Sequence, residues 1–148
     1  MQTIIIKSLE EMGNFVSSFV ENLPKTQKKA LIIGLSGDLG SGKTTFVQGI
    51  AQSLGIKDQI TSPTFVIQKR YEINSQEFDF KNLIHIDAYR LESGEDLLIL
   101  GWEEIKNNPE NIIFIEWPEK VSEVLPKDII NLNFKFVDEG TREIRFKI

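Results

Sequence analysis

The stretch "GLSGDLGSGKTTF", residues 34–46, decides how the rest of the chain is read. It follows the apolar run Ala30-Leu31-Ile32-Ile33 and precedes Phe46, Val47, Ile50, Ala51 and Leu54, which repeat at helical spacing. It therefore stands where a buried strand hands the chain to a helix. Within it Gly37, Gly42, Lys43 and Thr44 satisfy G-x-x-x-x-G-K-[ST], in the strand-before, helix-after context that gives this spacing its meaning. The glycines let backbone N–H groups turn inward and the helix beginning near Lys43 contributes the positive end of its dipole; both favour a polyphosphate. Lys43 supplies a charge for the β/γ oxygens and the Thr44 hydroxyl can ligate Mg²⁺. The residues expected to contact a nucleotide are Asp38, Leu39, Gly40, Ser41, Gly42, Lys43, Thr44 and Thr45.

Working outward, Thr3 to Lys7 reads as a strand, and Ser8-Leu9-Glu10-Glu11 as a capping box opening a helix whose apolar stripe runs from Leu9 to Leu23. Gly55 stops the helix after the glycine loop. Further strands are expected at Phe65 to Tyr71, Leu83 to Asp87 and Ile112 to Glu116, with a helical segment from Ser93 to Lys106 between the last two. This βαβ rhythm predicts a mainly parallel sheet flanked by helices, an α/β P-loop NTPase-like fold. The C-terminus differs. Ile130, Leu132, Phe134 and Phe136 alternate with polar residues, Asp138-Glu139-Gly140 turns the chain, and Ile144, Phe146 and Ile148 alternate again: an antiparallel hairpin.

With 148 residues the chain has the size of one domain, 1–148, and no linker or repeat divides it. There is no cysteine, hence no disulfide framework or thiolate site, and no apolar run long enough to span a membrane. A cytoplasmic protein without a membrane partner is expected. The formal charge of -5 argues against a protein that grips DNA or RNA by itself, since phosphate neutralisation needs clustered Lys and Arg.

A magnesium-nucleotide site also needs a carboxylate beyond the end of a neighbouring strand. Two strands end in one, "LIHID" at Asp87 and "IIFIE" at Glu116, and the residues alone leave either or both in that role. "TSPTF" at 61–65 places hydroxyls around Pro63 where switch-like loops lie near a γ-phosphate, or where a rigid capped turn would serve equally. His85, the only histidine, reads as a buried strand residue or as a neighbour of the site through Asp87. Trp117 reads as a core residue or, from its place directly after Glu116, as one at the mouth of the cleft, and Pro118 is expected at the start of a helix.

Together "SGDLGSGKTTF", "TSPTF", "HIDAYRL" at 85–91 and "IEWPEK" at 115–120 resemble the TsaE (YjeE) family of small bacterial P-loop ATPases, in the right order over about residues 8 to 145. Ala88 stands where the family usually has Leu. The resemblance implies ATP with Mg²⁺ as ligand, and a complex with TsaB and TsaD that makes threonylcarbamoyladenosine at position 37 of ANN-decoding tRNAs, the tRNA being met through the complex. It implies Thr44 and Glu116 at magnesium, Asp87 beside the γ-phosphate and Thr64 in the switch-like loop, with Lys43, Thr64, Asp87 and Glu116 as the catalytic set of a weak ATPase. A small-molecule or nucleoside kinase is the alternative, but such kinases close an Arg-bearing lid over the phosphoryl group. This chain has only Arg70, Arg90, Arg142 and Arg145 and no insert with an Arg cluster; a signalling GTPase is the other rival, and no N-K-x-D motif is present to read guanine.

Overall fold

The computed structural model describes every residue except Thr26, Ser62, Thr64, Phe65, Val66 and Ile148. Its strands are β1 (Gln2–Ile6), β2 (Leu31–Gly37), β3 (Gln68–Glu72), β4 (Asn82–Asp87), β5 (Asn111–Glu116), β6 (Ile130–Asp138) and β7 (Thr141–Phe146). Helices α1 (Leu9–Glu21), α2 (Lys43–Ser53), α3 (Gly94–Ile99) and α4 (Trp102–Asn107) and a 3-10 segment, Pro118–Val124, connect them. All seven strands form one sheet in the order β1-β7-β6-β2-β5-β4-β3. The centre is parallel, β6 with β2, β2 with β5 and β5 with β4. The margins are antiparallel: the expected hairpin β6–β7, β1 added beyond it, and β3 on β4.

The sequence explains this division. Every residue of β4 and β5 is buried, as central strands covered on both faces must be. β6 alternates buried Leu132 and Phe134 with exposed neighbours, the period of a half-solvated hairpin. Strand alternation divides the apolar residues into two cores. On one face Ile33, Leu35, Leu83, Ile112 and Phe114 pack with α1 and α2; on the other Ile32, Ile84, Ile86, Ile113 and Ile115 pack with Leu97, Trp102 and Val121.

Helix α1 begins as its sequence predicts, with the Ser8 hydroxyl accepting from Glu11 N at 3.1 Å. The reciprocal bond is displaced one residue outward, Lys7 N donating to the Glu11 carboxylate at 3.2 Å. Helix α2 closes in a Schellman arrangement, Gly55 N to Gln52 O and Ile56 N to Ala51 O. The segment expected as one helix from Ser93 to Lys106 is two, broken at Gly101 with φ of 86°. Trp102 drops into the second core there, its indole N–H donating to Val124 O at 3.0 Å.

Phe46, in the first turn of α2, is fully buried, with ring centroids of Phe15, Phe19, Phe114 and Phe134 all between 5.4 and 6.2 Å away. This cluster ties the helix that follows the glycine loop to α1, β5 and β6 at once. Phe46→Ala should cost about 3–5 kcal/mol of stability through the cavity it opens, read as a lowered urea midpoint. Phe46→Leu, which keeps most of the volume, should cost far less. A small loss from the alanine variant would show that the cluster does not anchor α2.

Candidate functional site

Parallel register sets the site. Leu35 of β2 pairs with Glu116 of β5, and Glu116 with Asp87 of β4, so two carboxylates end adjacent strands at the level where β2 runs into the glycine loop. Alternation then puts His85, Asp87 and Glu116 on the same face as Leu83 and Phe114, the face that carries α2. The edge of the sheet that faces the glycine loop is where ligands bind in open α/β folds.

The loop itself requires glycine at its first position. Gly37 has φ of +138°, and a Cβ there would lie 2.2 Å from the Phe134 carbonyl oxygen of β6. Ser41 N donates to Asp38 O at 3.2 Å, closing the turn, and the Ser41 hydroxyl is fully buried without a hydrogen-bond partner among the described residues. An orphaned donor inside such a loop suits an anionic ligand.

Lys43 is only 4% exposed. Its ammonium donates to the Gly37 carbonyl and stands 4.2 Å from the centroid of the Trp117 ring. Burial holds it below the usual lysine range, against the opposing pull of the Glu116, Asp87, Glu119 and Asp38 carboxylates. Trp117 reaches this position through a left-handed backbone, φ 61° and ψ 51°, held by its N–H on Leu35 O at 3.1 Å. Its indole also meets Tyr89, centroids 5.2 Å apart. Trp117 does not line the cavity; it packs against the second core, with the Lys43 ammonium over its ring, and Pro118 opens a 3-10 segment at its first position.

A cavity of about 400 Å³ lies against these groups. Leu39, Gly40, Gly42, Lys43, Thr44 and Thr45 line it from the loop and α2, with Asp87 and Glu116 from the strand ends. Asp38 and Ser41 shape the loop without lining the cavity. Asp87 keeps one oxygen on Tyr89 N at 3.0 Å. His85 is buried, and its partner is Glu116, Nε2 to Oε2 at 2.7 Å, rather than the same-strand Asp87. Thr64 lies outside the described residues.

Sequence reasoning missed two walls of this cavity. One is the β1–α1 corner, with Ser8, Leu9 and Met12; the other is the β6–β7 turn, with Glu139, Gly140 and Arg142. Arg142 donates to the Gly40 carbonyl at 3.1 Å and to Asp138 O at 2.6 Å, so one of four scattered arginines braces the glycine loop. Leu9 and Leu39, 81% and 78% exposed, are the only local hint: large apolar side chains left in solvent beside a polar loop.

Among the described residues no group of three or more His, Asp or Glu side chains gathers to hold a metal. Thr44, Glu116 and Asp87 line one cavity, a sparse all-oxygen set that fits a magnesium ion sharing its coordination with phosphate and water.

Comparison with known proteins identifies the family. Residues 6–144 match the family described as "Threonylcarbamoyl adenosine biosynthesis protein TsaE". A protein of Borreliella burgdorferi, named as a tRNA threonylcarbamoyladenosine biosynthesis protein TsaE, is 42% identical over 90% of this chain and 91% of its own length. The protein of the same name from Haemophilus influenzae is 36% identical over 87% of this chain and 78% of its own. The crystal structure of Bacillus subtilis YdiB superposes with a TM-score of 0.71 at 28% identity, covering 98% of this chain and 83% of that one. With a family match spanning nearly its whole length and relatives of this similarity, the chain belongs to the TsaE family.

Proposed function

We propose that this protein binds ATP with Mg²⁺ in the cleft between the glycine loop and the ends of β4 and β5, and hydrolyses it in support of tRNA threonylcarbamoyladenosine synthesis by TsaB and TsaD in the cytoplasm. The observation that carries the proposal is the level pairing of Glu116 with Asp87 beside a buried lysine at a helix N-terminus. The loop N–H groups and Lys43 take the β- and γ-phosphates. Two strand-end carboxylates facing a polyphosphate would repel it without a cation, and Mg²⁺, when bound, neutralises that charge and polarises the γ-phosphoryl group.

Thr44 and Glu116 hold the ion directly or through water. Asp87, its carboxylate braced by Tyr89 N, orients water or metal beside the γ-phosphate. The apolar corner of Leu9, Met12 and Leu39 receives the base. Thr64 serves as a γ-phosphate sensor in the "TSPTF" loop. With a formal charge of -5, the protein reaches tRNA through its partners.

Lys43→Met keeps the buried stem while removing the charge. ATP affinity should fall about 10- to 100-fold, the worth of one charge-assisted phosphate contact, with thermal unfolding in the absence of nucleotide scarcely altered. Asp87→Asn retains an acceptor for Tyr89 N and should slow hydrolysis far more than it weakens binding. Isothermal titration and a phosphate-release assay separate these effects, and parental hydrolysis by Lys43→Met would overturn the assignment of the cleft.

Reconstitution tests the pathway role. tRNA modification over many turnovers should require this protein and ATP in addition to TsaB and TsaD, and should stop with Lys43→Met. Full multi-turnover modification without the protein, or tight tRNA binding by the protein alone at about 0.15 M salt, would refute it.

A further inference from the structure

We propose that His85 is a positioning residue for the metal-facing carboxylate: its imidazole holds Oε2 of Glu116 from inside the sheet and leaves Oε1 for the cleft. This rests on the reading of Glu116 as a magnesium group. His85 is 0% exposed, in a strand whose neighbouring residues Leu83, Ile84 and Ile86 are apolar, and does not itself line the cavity. An aliphatic side chain would suit that position for packing alone. The imidazole instead leaves Nδ1 buried without a hydrogen-bond partner among the described residues, which is unfavourable.

The compensating contact is the 2.7 Å bond from Nε2 to Glu116. Because a carboxylate accepts, Nε2 carries the proton in this contact, and Nδ1 is the ring atom left without a partner among the described residues. The bond crosses from β4 to β5. His85 pairs with Phe114 in register and reaches Glu116 two residues further along, on the same sheet face. Glu116 is itself almost fully buried and lines the cavity, so an unanchored carboxylate would have alternative rotamers in which neither oxygen faces the cleft. Partners behind a ligating group that fix its orientation commonly govern metal affinity by about 10- to 100-fold.

Two isosteres distinguish positioning from packing. Glutamine places an amide N–H near the imidazole Nε2 position, whereas asparagine is too short to reach Glu116. The measurement is the ratio of ATP affinity with Mg²⁺ to that in EDTA, by isothermal titration, together with Mn²⁺ binding in the ATP complex followed by electron paramagnetic resonance. His85→Asn should lower the ratio about tenfold or more while metal-free affinity stays parental, and His85→Gln should restore most of it. A parental ratio in His85→Asn, or equal losses with and without metal, overturns the proposal.

Glu116→Gln separates this result from failure of the metal reading. If Glu116→Gln also leaves the ratio unchanged, Glu116 is no magnesium group and both ideas fall. If it lowers the ratio and His85→Asn does not, only positioning falls. A measurement without substitution guards against variants that fold poorly. His85 is the only histidine, so its imidazole ¹⁵N resonances are assigned without ambiguity. They should report the Nε2–H tautomer and move when Mg²⁺ is added to the ATP complex; the Nδ1–H tautomer, or resonances indifferent to the metal, would refute the proposal.

Discussion

Leu35, Glu116 and Asp87 stand at one level on three adjacent parallel strands because each is paired in register with the next, and the two acids are the last residues of β5 and β4. A slip of one residue between β4 and β5 would turn either Asp87 or Glu116 to the opposite face of the sheet. The continuous burial of β4 and β5 prevents that slip, since every apolar side chain would change cores with it. The polar site thus depends on apolar packing beneath it. The cleft can hold two neighbouring carboxylates and a buried ammonium because the sheet below is dry and over-determined.

That arrangement concentrates unfavourable terms. Lys43 loses hydration and recovers part of it from the carboxylates around it, from the Gly37 carbonyl and from the Trp117 face. Trp117 adopts a backbone conformation that a bulky residue enters at a cost of about 1–3 kcal/mol. The Ser41 hydroxyl and the His85 Nδ1 are buried without partners among the described residues. Several of these costs sit around the glycine loop and the ends of β4 and β5, where function rather than packing sets the side chains.

Much of this was legible from local pattern. The glycine loop with its flanking strand and helix, the α1 cap, the two strand-end acids and the C-terminal hairpin each have signatures contained within a short contiguous stretch of sequence. What escaped was set by contacts distant in sequence. Nothing around Arg142 announces that it reaches Gly40, because that contact exists only once β7 lies beside β6 and β6 beside β2. The same holds for His85: spacing of two pointed to Asp87 along the strand, while register brings Glu116 closer across it. The antiparallel margins were underestimated because βαβ rhythm reports connections between neighbours and says nothing of where the first strand goes. The break at Gly101 shows local pattern overridden, since the helical spacing on either side continues through a residue whose backbone turns left-handed to bury Trp102.

The pairing of β1 with β7 has a bearing on how the molecule is made. The first strand in the chain finds its partner only when the last has been synthesised, and the same hairpin carries Arg142 to the glycine loop and presses the Phe134 carbonyl against Gly37. During translation the loop sequence emerges roughly a hundred residues before the strand that braces it. A nascent chain therefore carries its phosphate-binding residues without a finished cradle, and such long-range closure is slow compared with helix formation. Synthesis of β7, rather than of the loop itself, sets when the cleft can first form.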